Sequence, residues 1–161
     1  MMNILHITPH LGGGVGSVLL NYFISTKPDE KFNHSVICLD YANSYATELL
    51  KSEGVELVDK AYQNTDIILK QIMKADIVVI HWWNHPLLTD FLIRNRLPKS
   101  RVLIWSHISG SPPPNNFTPK IFKYPDLFVF TTPLSYFDPE YVSLTEKHKE
   151  KVRTVWSTAG V

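Results

Sequence analysis

Asp76-Ile77-Val78-Val79-Ile80-His81 is the stretch that decides the fold. Four consecutive apolar residues, all of them β-branched, predict a strand buried on both faces, as strands of parallel sheets are. Upstream, 66–74 reads as a helix whose apolar side holds Ile68, Leu69, Ile72 and Met73. Downstream, Asn84 or His85 is placed to cap a helix with Pro86 at its first position, carrying Leu87, Leu88, Phe91 and Leu92 and followed by Pro98. A further strand is predicted over 102–105. The same alternation runs back to the start. A strand over 3–8 meets Pro9 and a glycine run, and Val15, Val18, Leu19, Tyr22 and Phe23 mark an amphipathic helix with Pro28 beyond its end. A strand over 34–40, a helix over 44–52 stopped by Gly54, and a short strand over 55–58 complete that half. Beyond a loop rich in proline and asparagine at 106–120 come a strand over 127–130, a charged surface helix over 141–151 and a last strand over 152–156. Strands alternating with helices predict an α/β fold with a doubly wound parallel sheet and helices on both faces.

The 161 residues suit one domain with a real core, and 44% hydrophobic against 19% charged residues exclude a disordered chain. A formal charge of +1 supplies no field for nucleic acid, so no nucleic-acid partner is expected. Cys38 is the single cysteine, which rules out an internal disulfide and fits a reducing compartment; within Ser35-Val36-Ile37-Cys38-Leu39 it reads as a buried strand residue. No apolar run approaches the ~20 residues of a membrane span, and no basic leader with a cleavage site opens the chain, so a cytoplasmic location is expected.

Ligands of open parallel sheets bind outside the carboxyl ends of the strands, near the reversal of strand order. Three segments end strands with chemically capable residues. In the run 9–17, Gly12, Gly13, Gly14 and Gly16 let the backbone approach a ligand, and the helix that follows turns unpaired N–H groups and its positive dipole end toward a phosphate. No lysine follows in Walker fashion, and Ser17 stands where a dinucleotide fingerprint has its third glycine. The second segment is His81-Trp82-Trp83-Asn84-His85. His81 should face the crevice, while the two tryptophans are expected to pack beneath the sheet edge. Zinc at His81 and His85 is disfavoured because Pro86 starts the helix after His85 and no third ligand follows, so no metal is expected. The third is Trp105-Ser106-His107, whose histidine can bond a phosphate or a sugar hydroxyl or move a proton. Ser106 and His107 are not a hydrolase pair, since neighbours on a strand point to opposite faces.

Together these residues resemble the N-terminal domain of family 4 glycosyltransferases of the GT-B fold. The likeness rests on the first strand with Gly12-Gly13-Gly14-Val15-Gly16 and its helix, on Asp76-Ile77-Val78-Val79-Ile80-His81, on Ser106-His107, and on the closing Lys151-Val152-Arg153-Thr154-Val155 strand before Gly160-Val161. Thr158-Ala159 replaces the family's Pro-Asn there. The resemblance covers nearly the whole chain and implies a Rossmann-like N-terminal, acceptor-side domain over 1–161, with the donor-binding domain outside it. It implies transfer, with retention of configuration, from a nucleotide-diphospho-sugar to a sugar, lipid-linked or small-molecule acceptor. It implies no cofactor and no metal, because N–H groups and basic side chains stabilise the departing diphosphate. His107 would be the catalytic histidine, Gly12, Gly13, Gly14 and Gly16 would lie at the donor phosphate or acceptor, and His81, Asn84 and Ser106 would line the acceptor-side cleft. Glu48 and Glu56 have the family's Glu-x7-Glu spacing but span a helix end and a strand of the wrong domain. An isolated domain is expected to be inactive.

Two other readings follow from the same residues. A dinucleotide-dependent oxidoreductase would use Asp40, at the end of the second strand, on a ribose hydroxyl. A non-catalytic module, or a peripheral contact at the inner membrane face, would use Trp82, Trp83, Phe117, Phe122, Tyr124, Tyr136 and Phe137 as an exposed aromatic surface.

Overall fold

The strands in chain order are β1 (Met2–Leu11), β2 (Phe32–Ala42), β3 (Glu56–Val58), β4 (Ile77–Trp82), β5 (Arg101–Ser106), β6 (Leu127–Phe130) and β7 (Val152–Thr154). The helices are α1 (Gly13–Thr26), α2 (Ser44–Ser52), α3 (Thr65–Lys74), α4 (Pro86–Arg94), α5 (Pro119–Lys123), α6 (Pro139–Val142) and α7 (Glu146–Lys149). This computed structural model describes residues 1–26 and 31–156, so Pro28 and the closing Thr158–Val161 motif lie outside the described residues. All paired strands are parallel and form one sheet in the order β3-β2-β1-β4-β5-β6-β7. The doubly wound, Rossmann-like α/β sheet expected from the alternation is therefore the fold.

The strand order reverses between β1 and β4, and right-handed crossovers translate that reversal into two helical layers. Moving from β1 to β2 to β3 puts α1 and α2 on one face, where Leu19, Leu20, Phe23, Ala46 and Leu50 pack on Leu11, Val36 and Cys38. Moving the other way from β4 puts the later helices on the opposite face. There Ile68, Ile72, Leu88, Phe91 and Phe122 meet Leu5, Ile7, Ile37, Val78, Ile80 and Phe128. Cys38 is fully buried, and burial raises its thiol pKa, so it stays a protonated core residue.

Three local readings are corrected. β1 runs past Pro9 to Leu11. Proline offers no N–H to the ladder, and the pairing with β2 shifts register between Thr8 and His10 instead of stopping. Met73 is 65% exposed, and only Ile68 and Ile72 of α3 are buried. The single helix expected over 141–151 is two short ones, α6 capped by the Asp138 carboxylate, which accepts from the Glu140 and Tyr141 amides, and α7 started after Thr145.

The aromatic residues of the last third are mostly interior. Phe117 and Phe122 are 4% and 1% exposed. They pack with Phe128, Phe130 and Tyr141 at centroid distances of 4.8–6.2 Å. The exposed aromatic surface invoked for an interaction module thus loses its two central members. Tyr124 and Phe137 are exposed.

Candidate functional site

Four of the seven strands bring histidine, tryptophan or tyrosine to the carboxyl edge, and they meet where the strand order reverses. His10, at the end of β1, stacks on Tyr41 of β2 with ring centroids 5.2 Å apart, and meets Trp83 and His85 edge-on at 5.3 and 5.8 Å. Trp83 continues to His107, 6.3 Å away. One aromatic rim therefore connects the glycine turn before α1 to the histidine that follows β5. His107 holds its place through its own N–H, which donates to the Trp82 carbonyl at 2.7 Å and prolongs the β4–β5 ladder.

The glycines divide by role. Gly12 is buried, its N–H donates to Nδ1 of His10 at 3.2 Å, and a Cβ there would lie 2.8 Å from the Tyr41 hydroxyl. Gly13 has φ +64, a left-handed conformation that favours glycine, and it opens α1 toward the rim. Gly14 is exposed with open space around it. The first turn of α1 contains no acidic residue, so no carboxylate of its own competes for its amides and positive dipole end, although the Asp40 carboxylate at the end of β2 is close enough to act on His85 of the rim. Gly16 does something else: a Cβ at this position would stand 2.9 Å from the Leu11 carbonyl carbon, so its absence lets α1 press against β1. The close helix–strand approach that a dinucleotide fingerprint assigns to a third glycine is thus supplied by Gly16, one residue before Ser17. Gly16→Ala should cost about 1–3 kcal/mol in urea unfolding, because backbone rather than a flexible side chain must yield.

The other expected cleft residues sit around the rim and not on it. His81 and Ser106 are 0% exposed. The Ser106 hydroxyl donates to the Ile108 carbonyl at 2.9 Å, and the residue shares the face of its register partner Trp82, away from His107. Asn84 is exposed, but its amide donates to the carbonyls of Pro114 and Asn116 at 2.6 and 3.1 Å and fastens the proline-rich loop. Direct contact of Ser106 or His81 with an acceptor is therefore corrected to a supporting position. Trp82 and Trp83 also part company. Trp82 is in the core, as expected for both, whereas Trp83 reaches the rim, since adjacent strand residues face opposite ways. His85 caps α4, its Nδ1 accepting from the Leu87 amide at 3.3 Å.

Beneath the rim lies a feature the sequence did not reveal. Nε2 of His107 is 2.9 Å from Nδ1 of His81, Nε2 of His81 is 3.0 Å from Nδ1 of His6, and Nε2 of His6 is 3.0 Å from Nδ1 of His34. Burial, and then the neighbouring His34, lowers the His6 pKa to about 3. Burial pushes His81 well below 6.5 and brings His107 to about 4. All three rings are neutral at pH 7. Their nitrogens point at one another instead of converging on a common point, and among the described residues no group of three or more His, Cys, Asp or Glu could hold a metal ion.

A switch-point crevice on a doubly wound sheet, with a glycine turn opening a helix toward it, defines this chain as a Rossmann-like α/β domain. Among solved structures it is similar to a glycosyltransferase from Rickettsia africae ESF-5, with TM-score 0.58 and 14% identity over 96% of this chain and 42% of that one. It is equally similar to MurG from Acinetobacter baumannii, with TM-score 0.58 and 13% identity over 98% of this chain and 46% of that one. The structure of S. aureus MnaA with UDP matches with TM-score 0.57 and 13% identity over 96% of this chain and 44% of that one. The chain spans less than half the length of each, and at these identities the likeness is one of fold. No protein-family model and no curated protein matches the chain.

Proposed function

We propose that this chain is the N-terminal, acceptor-side half of a nucleotide-sugar glycosyltransferase that retains anomeric configuration. One observation carries the reading: the open first turn of α1 at Gly13 and Gly14 and the ring of His107 share one rim, bridged by His10 and Trp83. Amides of that turn suit the diphosphate of a sugar nucleotide, each such interaction contributing about 0.3–1 kcal/mol, and more when partly buried. His107 lies across the rim, neutral at pH 7, so it can hydrogen-bond a sugar hydroxyl through Nδ1 without introducing a charge. Trp83 and Tyr41 offer flat apolar faces for a sugar or base. The resemblance of the sequence motifs to family 4 glycosyltransferases and the fold shared with a glycosyltransferase, MurG and UDP-bound MnaA support the same assignment.

On this reading the partners are a nucleotide-sugar donor, a sugar, lipid-linked or small-molecule acceptor, and a second donor-binding domain. Neither metal nor cofactor takes part, because the leaving diphosphate is stabilised by amides and basic side chains. The protein acts in the cytoplasm or at the inner face of its membrane. No helix among the described residues is long and apolar enough to cross a membrane.

Tryptophan fluorescence tests this directly. UDP- or GDP-sugars should change the emission with affinity in the millimolar range, about −4 kcal/mol, as expected of half a site. The change should vanish in Trp83→Phe. NADH binding more tightly than every sugar nucleotide would favour the oxidoreductase reading.

A further inference from the structure

His34, His6, His81 and His107 come from β2, β1, β4 and the residue after β5, four neighbouring strands of the sheet. Registers pair Ile4 with His34, His6 with both Val36 and Val79, and His81 with Trp105. Paired residues share a face and alternate residues return to it, so all four imidazoles lie on the α1 face. Each stands two residues further toward the carboxyl edge than the last, making a diagonal across the sheet. Tyr22 and Phe23 of α1 lie against its first half, and Trp105 flanks its second. Ring centroids are 5.2–5.3 Å apart while the facing nitrogens are 2.9–3.0 Å apart, so the rings meet end to end. The linkage is the same at every joint: Nδ1 of one ring faces Nε2 of the next.

A neutral imidazole has one N–H and one lone pair. If His6 donates through Nδ1 to His81, then His81 must donate through Nδ1 to His107, and His107 must turn its own Nδ1–H to the rim. If instead His107 donates through Nε2 to His81, every ring carries its proton on Nε2, and His107 turns a lone pair to the rim. Mixed arrangements leave two N–H groups, or two lone pairs, facing each other at 3.0 Å inside the protein, which costs the desolvation of an unpaired group.

We propose that these four histidines form one proton-ordered row, in which His34, His6 and His81 are positioning residues that set whether Nδ1 of His107 offers a proton or a lone pair to the crevice. Reversing the row moves one proton across each of its three bonds. When His107 takes a proton on Nδ1 from a donor in the crevice, it passes its Nε2 proton to His81. His81 passes its Nε2 proton to His6, His6 passes its own to His34, and His34 gives up its Nε2 proton only when that nitrogen, buried in the structure, meets water. Every ring starts and ends neutral, in keeping with the burial of the middle two. His34 is half-buried and, on the α1 face at the amino end of the sheet, lines a cavity of about 100 Å³ with Phe23, Thr26, Phe32 and Glu53. The ordering itself is independent of sugar transfer; its use at His107 rests on that reading.

The test is ¹⁵N NMR of histidine-labelled protein at pH 7.5, assigning the protonated nitrogen of each ring. The expected result is the same nitrogen protonated in all four rings. In His6→Phe, which cuts the row, the two ¹⁵N signals of His107 should move toward those of a ring averaging both tautomers, though residue 6 touches neither His107 nor the rim. His34→Phe, at the half-buried end, should shift them in the same way and guards against a His6 variant that does not fold. Opposed tautomers in the unmodified protein, or His107 signals unchanged by both substitutions, would overturn the proposal. Sugar-nucleotide binding by fluorescence is a separate readout: an ordered row in a protein that binds none would end the transferase reading and leave the row standing.

Discussion

Lowering the pH from 7 to 4 should remove about 6 kcal/mol of folding stability, enough to unfold a domain of ordinary stability. The cause is the buried histidines. In the unfolded chain each titrates near 6.5, whereas in the fold His6 titrates at about 3 and His107 at about 4. Between these values and 6.5 the unfolded chain binds protons that the folded chain refuses. Stability is therefore full above pH 6.5 and falls as the pH drops toward the folded values. Each pH unit in that window costs roughly 1.4 kcal/mol per ring, or about 3 kcal/mol per ring by pH 4. His81, also shifted down, acts in the same direction. Urea unfolding followed by circular dichroism at half-unit steps checks this. The decline must begin near pH 6, above the range in which carboxylates protonate. A flat profile from pH 7 to 5 would mean that the row is not buried as described.

Phe117→Ser should cost about 3–5 kcal/mol and leave lipid affinity untouched. Phe117 stands between Phe122, Phe128 and Phe130, and its ring occupies the space over Gly110, where a Cβ would come within 2.6 Å of it. Gly110 has φ +91, so this packing rests on a conformation other residues resist. Removing the ring opens a cavity at the base of the proline-rich loop that Asn84 fastens, and serine leaves a hydroxyl to be satisfied there. Thermal unfolding and vesicle sedimentation separate the two readings. A variant that keeps its melting temperature but loses vesicle binding would restore Phe117 to a surface.

The sheet was legible because its signals are local. The β-branched run at 77–80 and the Gly54 and Pro86 boundaries need no knowledge of distant residues. The glycine turn and His107 could also be assigned to the same edge, since parallel strands carry their carboxyl ends together. What the sequence could not convey is register. His6 and His34 look like ordinary strand residues until β1 is placed between β2 and β4. Only then do residues 28 and 75 positions apart come within 3.0 Å of one another. Period-two alternation did carry a signal for Trp82 and Trp83, which had to face opposite ways, and it assigns Trp83 to the rim once β4 is known to end there. The split 141–151 segment was misread because its charge pattern suits a helix, while the Asp138 cap and Thr145 start two separate ones.

The central claim is that a nucleotide diphosphate sits on the first turn of α1 and faces His107. Amide and indole NMR shifts during titration with UDP or GDP test it most directly. The account predicts that Gly13, Gly14 and the Trp83 indole move first and saturate together, with His107 following when the sugar nucleotide replaces the diphosphate. Shifts confined to the amino edge of the sheet around Asn33 and Glu56, or none at millimolar ligand, would contradict it.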